Sequence, residues 1–525
     1  MGISDCTSEQ WWILKKMKLK KKLGIILIVT HFSILCVLPV KVWSQASASW
    51  NYGTQTGTIG TTYSWIDCSS GTTIVIGDDT QTSIIWPFNF SFYNNDYTTA
   101  NSLSVASNGF IRLDGIAAGN NYTAANAYDL TTNATGFGQI IATSLYDCFL
   151  GSVADSWCRY LVTGTAPNRI LTIESNNIEI DYNDGLYADV EVSFYETTNE
   201  IVIKLGDDNI SVSGVDMGIH SGVNGFFDKW QEVQSGTNNT WIRYMLPVEV
   251  IATNGTLQSF YPTLKTAFDK INDGTHCGDV TIQIHGNTIE TASAVLNASG
   301  TGSADFVSVN IYPTSTGLSI SGNLTSPLIN VNGADNVTID GRVNATGATQ
   351  DMTITNTSTS SVAGTSTIRL INNATNNFVK YCTIRGSETV AASGVIIFST
   401  AAATAGNNNN TIENNNITSA ANANRPVNAI FSSGTLGREN SGNIISNNNI
   451  YDFLKNGTAS NGIFLSSNTT TWSITGNSFY ETTSFVPTGA VTYNALQINN
   501  TSGTGFIISD NYIGGNTALC GGTAW

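Results

Sequence analysis

The C-terminal part of the chain holds few side chains that could carry out acid–base or metal chemistry. Residues 331–525 contain nine acidic residues, seven basic residues and no histidine. Hydrolysis of a polysaccharide needs carboxylates that converge on the scissile bond, and a calcium-dependent lyase needs clustered acidic ligands. The densest group is Asp335, Asp340 and Arg342 in ADNVTIDGR. We interpret these three as turn and strand-end residues, so the sequence predicts no catalytic residue.

Two pairs of adjacent aspartates occur earlier in the chain, Asp78-Asp79 and Asp207-Asp208. Carboxylate oxygens are the ligands that calcium prefers, so each pair could contribute to a calcium site. Adjacent aspartates are also common in turns, and we favour that interpretation. The prediction is therefore no cofactor, with calcium as the alternative.

Two cysteines could form a disulfide. Cys148 and Cys158 flank the short segment FLGSVADSW, and no pair of cysteines in the chain has zinc-site spacing. In an oxidising compartment these two residues could close a hairpin, and we predict that they do. The alternative is two buried thiols.

The asparagine-rich stretch GNNNNTIENNNITSA, residues 406–420, belongs to a repeat. Five segments align: FVKYCTI, TIENNNI, IISNNNI, SITGNSF and IISDNYI. Their second residues are apolar and are spaced by 33, 33, 29 and 34 residues: Val379, Ile412, Ile445, Ile474 and Ile508. Their fifth residues are Cys382 and then Asn415, Asn448, Asn477 and Asn511. Disorder would not preserve such apolar positions.

A second apolar series, Ile396, Ile430, Ile463 and Leu496, has nearly the same period, with spacings of 34, 33 and 33 residues. Two series with one period predict a parallel β-helix, in which matching strands of successive coils pair and apolar residues stack inside. The four fifth-position asparagines would then form a ladder of side-chain amides. An asparagine there would also tolerate left-handed turn geometry. Longer loops, such as AAATAGNNNN and TSAANANRP, would project on one side.

Three regions make up the chain. Residues 1–44 have a basic stretch, an apolar run and small residues before Gln45, which predicts a signal peptide, with Met17 as a possible true start. The alternative is a membrane anchor. Residues 45–246 show short strands separated by turns and predict an antiparallel β-sandwich. Residues 247–525 form the β-helix, and YPTLKTAFDKIND at its start has a helical apolar stripe.

Removal of residues 1–44 takes away seven lysines and two acids, so the formal charge changes from −16 to −16 − 7 + 2 = −21. A negative charge of this size is unfavourable for nucleic acid. It is ordinary for a secreted protein, and the mature chain is expected to have no membrane span.

Three resemblances accompany these patterns. WPFNFSFYNNDY followed by SVASNGFIRLDG resembles a β-sandwich module of secreted bacterial proteins, which implies a non-catalytic accessory domain. TLKTAFDKIND followed by GDVTIQIHGNTIE resembles the opening of pectin-lyase-like right-handed parallel β-helix proteins, in which a short helix closes the end of the stack. NGADNVTIDGRVN resembles surface or secreted proteins of Bacteroidetes, many of which carry a sorting domain for type IX secretion. No such domain is recognisable here, and the β-helix is expected to continue in a longer protein.

Together these observations predict an all-β protein, with an N-terminal antiparallel β-sandwich followed by a right-handed parallel β-helix and its capping helix. The expected function is a secreted or cell-surface, non-enzymatic role in adhesion, structure or contact with an extracellular polysaccharide or surface glycan. Trp472 and Tyr451 could stack on sugar rings, although packing against a neighbouring loop is the alternative. The rival hypothesis is a polysaccharide lyase or glycoside hydrolase with its site in the β-helix groove. Convergent carboxylates or basic groups there would favour the enzyme.

Overall fold

A computed structural model describes residues 52–524, apart from 75–76, 94, 116–129, 131–137, 181–184, 209–214, 223–226, 233–238 and 403–404. For residues 207–208 and 228–232 it describes the backbone alone. The predicted signal peptide, residues 1–44, lies outside this part of the chain. The described chain is nearly all β, as predicted, and contains an antiparallel sandwich-like region followed by a parallel β-solenoid of about seven turns.

The sandwich consists of two antiparallel sheets and a small hairpin. The nine-stranded sheet contains Gly53–Thr58, Thr72–Thr73, Gly77–Asp78, Phe149–Leu150, Trp157–Thr163, Ile170–Glu179, Tyr187–Tyr195, Ile201–Asp208 and Thr240–Met245. The six-stranded sheet contains Gln81–Ile85, Ser102–Ala106, Phe110–Arg112, Ile140–Leu145, Asp216–His220 and Phe227–Glu232. The hairpin pairs Phe90–Phe92 with Asn95–Tyr97.

The aromatic residues of WPFNFSFYNNDY fill the sandwich core. Those buried in it are Trp86, Phe88, Phe90, Phe92, Tyr93 and Tyr97. Trp86 stacks on Phe90 with ring centroids 5.1 Å apart, and Phe194 from the nine-stranded sheet meets Trp86 edge-on at 5.3 Å. Large rings bury much apolar surface in such arrangements, so this stretch has a structural role.

A helix, α1 (Leu264–Asn272), lies at the start of the solenoid. Its buried residues are the four of the predicted stripe: Leu264, Ala267, Phe268 and Ile271. Thr263 caps it by accepting the backbone N–H of Thr266 at 3.1 Å, which satisfies one of the free donors at a helix start. The carboxylate of Glu290 accepts the N–H groups of Leu264 and Lys265.

Three sheets run along the solenoid. The first contains Gln258–Tyr261, Val248–Gly255, His276–Ile284, Phe306–Pro313, Val337–Asp340, Phe378–Lys380, Thr411–Glu413, Ile444–Ser446, Ser473–Thr475 and Ile507–Ser509. The second contains Thr288–Glu290, Leu318–Gly322, Met352–Asn356, Cys382–Gly386, Asn416–Ser419, Asn449–Tyr451, Ser478–Tyr480 and Tyr512–Ile513. The third contains Ala294–Asn297, Ile329–Asn332, Ile368–Ile371, Ile396–Phe398, Asn428–Ser432, Ser460–Leu465 and Tyr493–Ile498. A short parallel pair, Asn440–Ser441 and Thr469–Thr470, and the 3₁₀ turn Val343–Ala345 lie between them.

The predicted register is confirmed by the strand pairing. Ile445 pairs with Ile412 on one side and with Ile474 on the other, and it is fully buried. The second predicted series pairs in the same way, with Ile430 between Ile396 and Ile463. The repeat period therefore specifies which residues stack in successive coils.

The three corners of the solenoid differ in length. The corner between the first and second sheets is a tight turn in coils such as residues 414–415 and 447–448. The other two corners carry loops, for example residues 399–402 with 405–410, and residues 420–427. The two predicted loops, AAATAGNNNN and TSAANANRP, therefore lie at different corners and not on one side as expected.

Candidate functional site

The four predicted ladder residues are linked in series at the tight corner. The Nδ2 of Asn415 donates to Oδ1 of Asn448 at 3.1 Å, and that of Asn448 to Oδ1 of Asn477 at 3.0 Å. The Nδ2 of Asn477 donates to Oδ1 of Asn511 at 3.0 Å. Each Oδ1 also accepts a backbone N–H from the preceding coil, starting with that of Cys382. Buried polar groups are stable only when paired in this way.

The left-handed geometry predicted for these asparagines belongs to other residues. Positive φ angles occur at the residue before each ladder amide: Asn414 (56°), Asn447 (55°), Gly476 (69°) and Asp510 (57°). Asparagine, aspartate and glycine tolerate this conformation best. The turn and the ladder thus use two successive residues. The first, with its positive φ, turns the chain at the corner, and the second, the ladder asparagine, forms hydrogen bonds with the buried backbone.

A second ladder of the same kind was not predicted. Asn377, Asn410 and Asn443 are buried. The Nδ2 of Asn377 donates to Oδ1 of Asn410 at 3.0 Å, and that of Asn410 donates to Oδ1 of Asn443 at 3.1 Å. These residues immediately precede three of the aligned repeat segments, so their spacing of 33 residues was available in the sequence. Comparison of the position before each segment would have found them.

Trp472 occupies the next position in this second column, because Ile444 pairs with Ser473 and Trp472 therefore follows Asn443. Its side chain is 0% exposed, its Nε1 donates to the carbonyl of Asn440 at 2.8 Å, and its ring meets Phe398 at 4.8 Å. The predicted glycan contact of Trp472 is therefore wrong, since a corner position that faces inward buries the indole.

Tyr451 is half-buried on the outer face of the second solenoid sheet. It pairs in register with Tyr480, and the two rings stack with centroids 5.0 Å apart and an interplanar angle of 13°. Burial raises the pKa of Tyr480 to about 12. Arg385 lies two strands away in the same column and is exposed. This tyrosine pair is an outward aromatic surface on the second solenoid sheet.

A pocket of ≈ 640 Å³ opens on the corner between the second and third solenoid sheets. Three successive loops form it. Its lining residues are Asn422, Ala423, Arg425, Lys455, Asn456, Thr483, Ser484, Phe485 and Val486. The lining thus contains amides, hydroxyls, two cationic side chains and an aromatic ring, and no carboxylate.

Arg425 joins the three loops behind this pocket. Its guanidinium pairs with Glu481 and with Asp452, and it donates to Oδ1 of Asn422 at 2.8 Å. The second oxygen of Glu481 accepts the N–H groups of Phe453 and Leu454, each at 3.1 Å. Burial raises the pKa of Glu481, and the Arg425 guanidinium acts against that rise.

An aromatic ring, that of Phe485, packs against the guanidinium of Arg425. The guanidinium carbon lies 5.3 Å from the centroid of the Phe485 ring, within the range of a cation–π contact. Tyr493 meets the same ring edge-on at 5.4 Å. Phe485, half-buried in the loop that begins at Glu481, is thereby fixed at the pocket wall.

Two further charged groups lie near this corner. Lys455 is half-buried, and its Nζ donates to the carbonyl of Arg425 at 2.5 Å; burial lowers its pKa. Glu388, in the loop of an earlier coil, is buried, and within the described residues its Oε1 has no hydrogen-bond donor. Burial raises the pKa of Glu388 well above its usual value.

The charged group singled out in the sequence, Asp335, Asp340 and Arg342, forms local contacts in the structure. The Asp340 carboxylate is buried and forms a two-pronged pair with Arg342, and Lys380 lies 3.6 Å away. Asp335 accepts the N–H and hydroxyl of Thr375, both at 2.7 Å. Both carboxylates therefore hold turns and strand ends, in line with the interpretation favoured from the sequence.

Of the two pairs of adjacent aspartates, the structure describes the side chains of one, Asp78 and Asp79. Asp78 and Asp79 lie together with Asp147, and each contributes a carboxylate oxygen within 4.8 Å of the others. Sequence reasoning missed Asp147, since it is distant in the chain and lies in no acidic run. The side chains of Asp207 and Asp208 are outside the described residues.

Cys148 and Cys158 are buried thiols in the structure and are not joined. Cys148 Sγ donates to the carbonyl oxygens of Ser144, at 3.1 Å, and Ile180, at 3.4 Å. Burial raises the pKa of the Cys158 thiol to about 12. The structure thus contains the second of the two alternatives, and the disulfide stays a prediction for oxidising conditions.

Comparison with known proteins gives few relatives. A family described as NIDO related matches residues 51–262. No curated protein matches the chain. The structure of the Streptococcus pneumoniae surface protein and adhesin PfbA is similar to it at 13% identity and a TM-score of 0.26, over 48% of this chain and 72% of that one. Within the described residues, no helix has the length and apolarity needed to cross a membrane. The chain thus combines a region that matches the NIDO-related family, residues 51–262, with a β-solenoid of about seven turns.

Proposed function

We propose that this protein is a secreted or cell-surface binding protein without enzymatic activity, and that it binds a saccharide in the pocket on its solenoid. The observation that carries the proposal is the lining of that pocket. Asn422, Asn456, Thr483 and Ser484 offer amides and hydroxyls, and Phe485 offers an aromatic surface. A sugar presents hydroxyls in its plane and C–H groups on its faces, so it needs both kinds of partner.

The pocket is well placed for binding because rigid elements hold it. The loops leave strands of the stacked sheets, and the Arg425 ion pairs join them to one another. Sites on rigid supports lose little entropy when a ligand binds. The tyrosine pair Tyr451 and Tyr480 lies on the neighbouring sheet face and would extend the surface for a longer chain of sugars.

The same geometry supports binding over hydrolysis. Glycoside hydrolysis needs two carboxylates that face the substrate from either side. Asp452 and Glu481, the two carboxylates that meet the pocket residue Arg425, are both paired with its guanidinium, and Glu481 is fully buried. Glu388, near the same corner, is buried as well. The oxygens of Asp452 and Glu481 accept backbone or side-chain donors of the pocket loops, which gives them a structural role.

The extracellular location is part of the proposal. It rests on the basic and apolar segments within residues 1–44 and on the acidic balance of the chain. The resemblance of NGADNVTIDGRVN to surface proteins of Bacteroidetes, together with their type IX secretion, belongs to the same proposal. The pocket on the solenoid could bind a ligand in either a released or a surface-attached protein.

A glycan array with the mature chain tests the function, followed by calorimetric titration with the best ligand. We expect Ala423→Trp, which fills the pocket, and Phe485→Ala, which removes its aromatic wall, to weaken binding by roughly tenfold or more. Phe378→Ala is the matched control, since Phe378 is 40% exposed on another sheet face. Binding that survives Ala423→Trp unchanged, or release of reducing sugar from acidic polysaccharides by the wild type, would overturn the proposal.

A further inference from the structure

The cluster of Asp78, Asp79 and Asp147 lies where the chain crosses between the two sandwich sheets. Asp78 ends a strand of the nine-stranded sheet, Gly77–Asp78, and Asp79 follows it, before the strand Gln81–Ile85 of the six-stranded sheet. Asp147 lies on a crossing in the opposite direction, between Ile140–Leu145 and Phe149–Leu150. The three carboxylates therefore belong to two independent connections that meet at one point.

Three carboxylates this close repel one another. Within the described residues, no lysine or arginine forms an ion pair with Asp78 or Asp79. Repulsion of this kind is relieved when a cation binds between the groups, as in calcium sites.

Asn108 supplies an independent indication of a ligand. It lies in the turn between Ser102–Ala106 and Phe110–Arg112, and it is 1% exposed. Its Nδ2 donates to Oδ1 of Asp79 at 3.0 Å, whereas within the described residues its Oδ1 has no donor. A buried acceptor without a partner costs about 1–3 kcal/mol. Because both atoms share one amide carbon, the unpartnered oxygen lies at the edge of the carboxylate cluster.

We propose that Asp78, Asp79, Asp147 and the amide oxygen of Asn108 bind one divalent cation, and that the cation is calcium. Calcium bonds oxygen ligands at about 2.4 Å, so two of its ligands can be up to about 4.8 Å apart. That is the span within which the three carboxylates lie. Magnesium demands near-octahedral geometry and usually keeps several waters, so it is less suited to a site that supplies four protein oxygens. Carboxylate and amide oxygens are also the ligand types that calcium prefers, and water completes its shell.

Neighbouring backbone contacts hold the ligands in place. The N–H of Ser107 donates to the carbonyl of Thr80 at 2.8 Å, and the N–H of Thr80 donates to Oγ of Ser107 at 2.9 Å. These bonds tie the turn of Asn108 to the turn of Asp79. A bound cation would add Asp147 to the same unit and so link both sandwich sheets.

Calorimetric titration of the chelator-treated full chain with calcium chloride tests the proposal. We expect one site, a calcium-dependent rise in the unfolding midpoint, and weaker binding of magnesium. Asp79→Asn should weaken calcium binding by roughly tenfold or more, because affinity depends on the number of charged ligands. Asp79 has a φ of 48°, which asparagine tolerates, so this variant keeps the turn.

Asp155→Asn is the matched control, because Asp155 is an exposed acid of the same domain outside the cluster. It should bind calcium as the wild type does, and Asp147→Asn should reproduce the loss seen with Asp79→Asn. The proposal fails if the wild type shows neither heat nor a midpoint shift, or if Asp79→Asn and Asp147→Asn both bind like Asp155→Asn. A failed glycan array leaves this result untouched, since the pocket lies in the solenoid.

Discussion

The Oδ1 of Asn477 accepts two hydrogen bonds from one residue, Asn448, whose Nδ2 and backbone N–H both lie 3.0 Å from it. Asn448 in turn donates its second amide hydrogen to the carbonyl of Ile412 at 2.8 Å. One asparagine per coil therefore satisfies the backbone of two neighbouring coils at a corner where no strand pairing is possible. This arrangement explains why asparagine, which is a poor strand former, recurs at a buried position.

Asn448→Asp is expected to destabilise the protein by about 3 kcal/mol or more, because it removes two donated hydrogen bonds and places a charge in a buried stack. Asn408→Asp is the matched control. Asn408 is half-buried, and its Oδ1 accepts the N–H of Ser441 at 2.8 Å, a role that aspartate retains. Chemical unfolding of the two variants measures the difference. Equal stabilities would contradict a structural role for the ladder.

Ile445→Asp should be strongly destabilising, whereas Ile444→Asp should change the free energy of unfolding by less than about 1 kcal/mol. The two residues are adjacent in one strand, but Ile445 is fully buried between Ile412 and Ile474, and Ile444 is 40% exposed. Thermal unfolding of both variants checks the prediction. A larger loss for Ile444→Asp would mean that the strand faces the other way.

His220 should make the sandwich sensitive to acid. Burial lowers its pKa from 6.5 to about 4, and its Nδ1 accepts the N–H of Gly222 at 2.8 Å. His220 therefore binds a proton less readily in the folded protein than in the unfolded chain. The stability that neutral His220 contributes is present above pH 6.5 and is lost as the pH falls towards 4. In His220→Gln this part of the acid sensitivity should disappear.

Chemical unfolding of wild type and His220→Gln at pH 7 and pH 4.5 gives the measurement. The carboxylates of the chain titrate in both proteins, so the difference between the two pH dependences isolates the histidine. Parallel losses of stability in the two proteins would contradict the prediction.

The sequence allowed the solenoid and its register to be predicted because a repeat makes each position visible several times. Ile445 could be assigned to the interior since Ile412 and Ile474 recur at the same place in their coils. Trp472 lies outside the aligned segments, at the position before one of them, so the repeat of the segments does not reveal its orientation. Compared with Asn410 and Asn443, it occupies a column that faces inward.

The pocket and the aspartate cluster could not be predicted in this way. Arg425 and Glu481 are 56 residues apart in loops whose sequences do not repeat. Their contact depends on the direction in which each loop leaves its coil. Asp147 meets Asp79 only because two chain crossings of the sandwich coincide, and strand alternation carries no information about such crossings.

Arg425 is expected to be the residue on which the pocket depends most. It is nearly buried and pairs with the fully buried Glu481. Removal of one partner of a buried pair leaves an uncompensated charge, which costs about 3–5 kcal/mol. Arg425→Met should therefore destabilise the protein strongly, and the additional change Glu481→Gln should restore much of the loss. Glutamine keeps an oxygen for the N–H groups of Phe453 and Leu454.

The loss in Arg425→Met should also depend on pH. Burial already raises the pKa of Glu481 with Arg425 present, and without the guanidinium the folded-state pKa should rise further. A group whose pKa is raised on folding contributes stability below its unfolded pKa, and that stability is lost as the pH rises through the folded value. Arg425→Met should therefore be nearer to wild type at pH 5 than at pH 8, while Arg425→Met with Glu481→Gln should show no such trend. Unfolding curves of the wild type, the single variant and the double variant at both pH values give the measurement. A loss of stability in Arg425→Met that does not depend on pH would mean that Glu481 is not the group left without a partner.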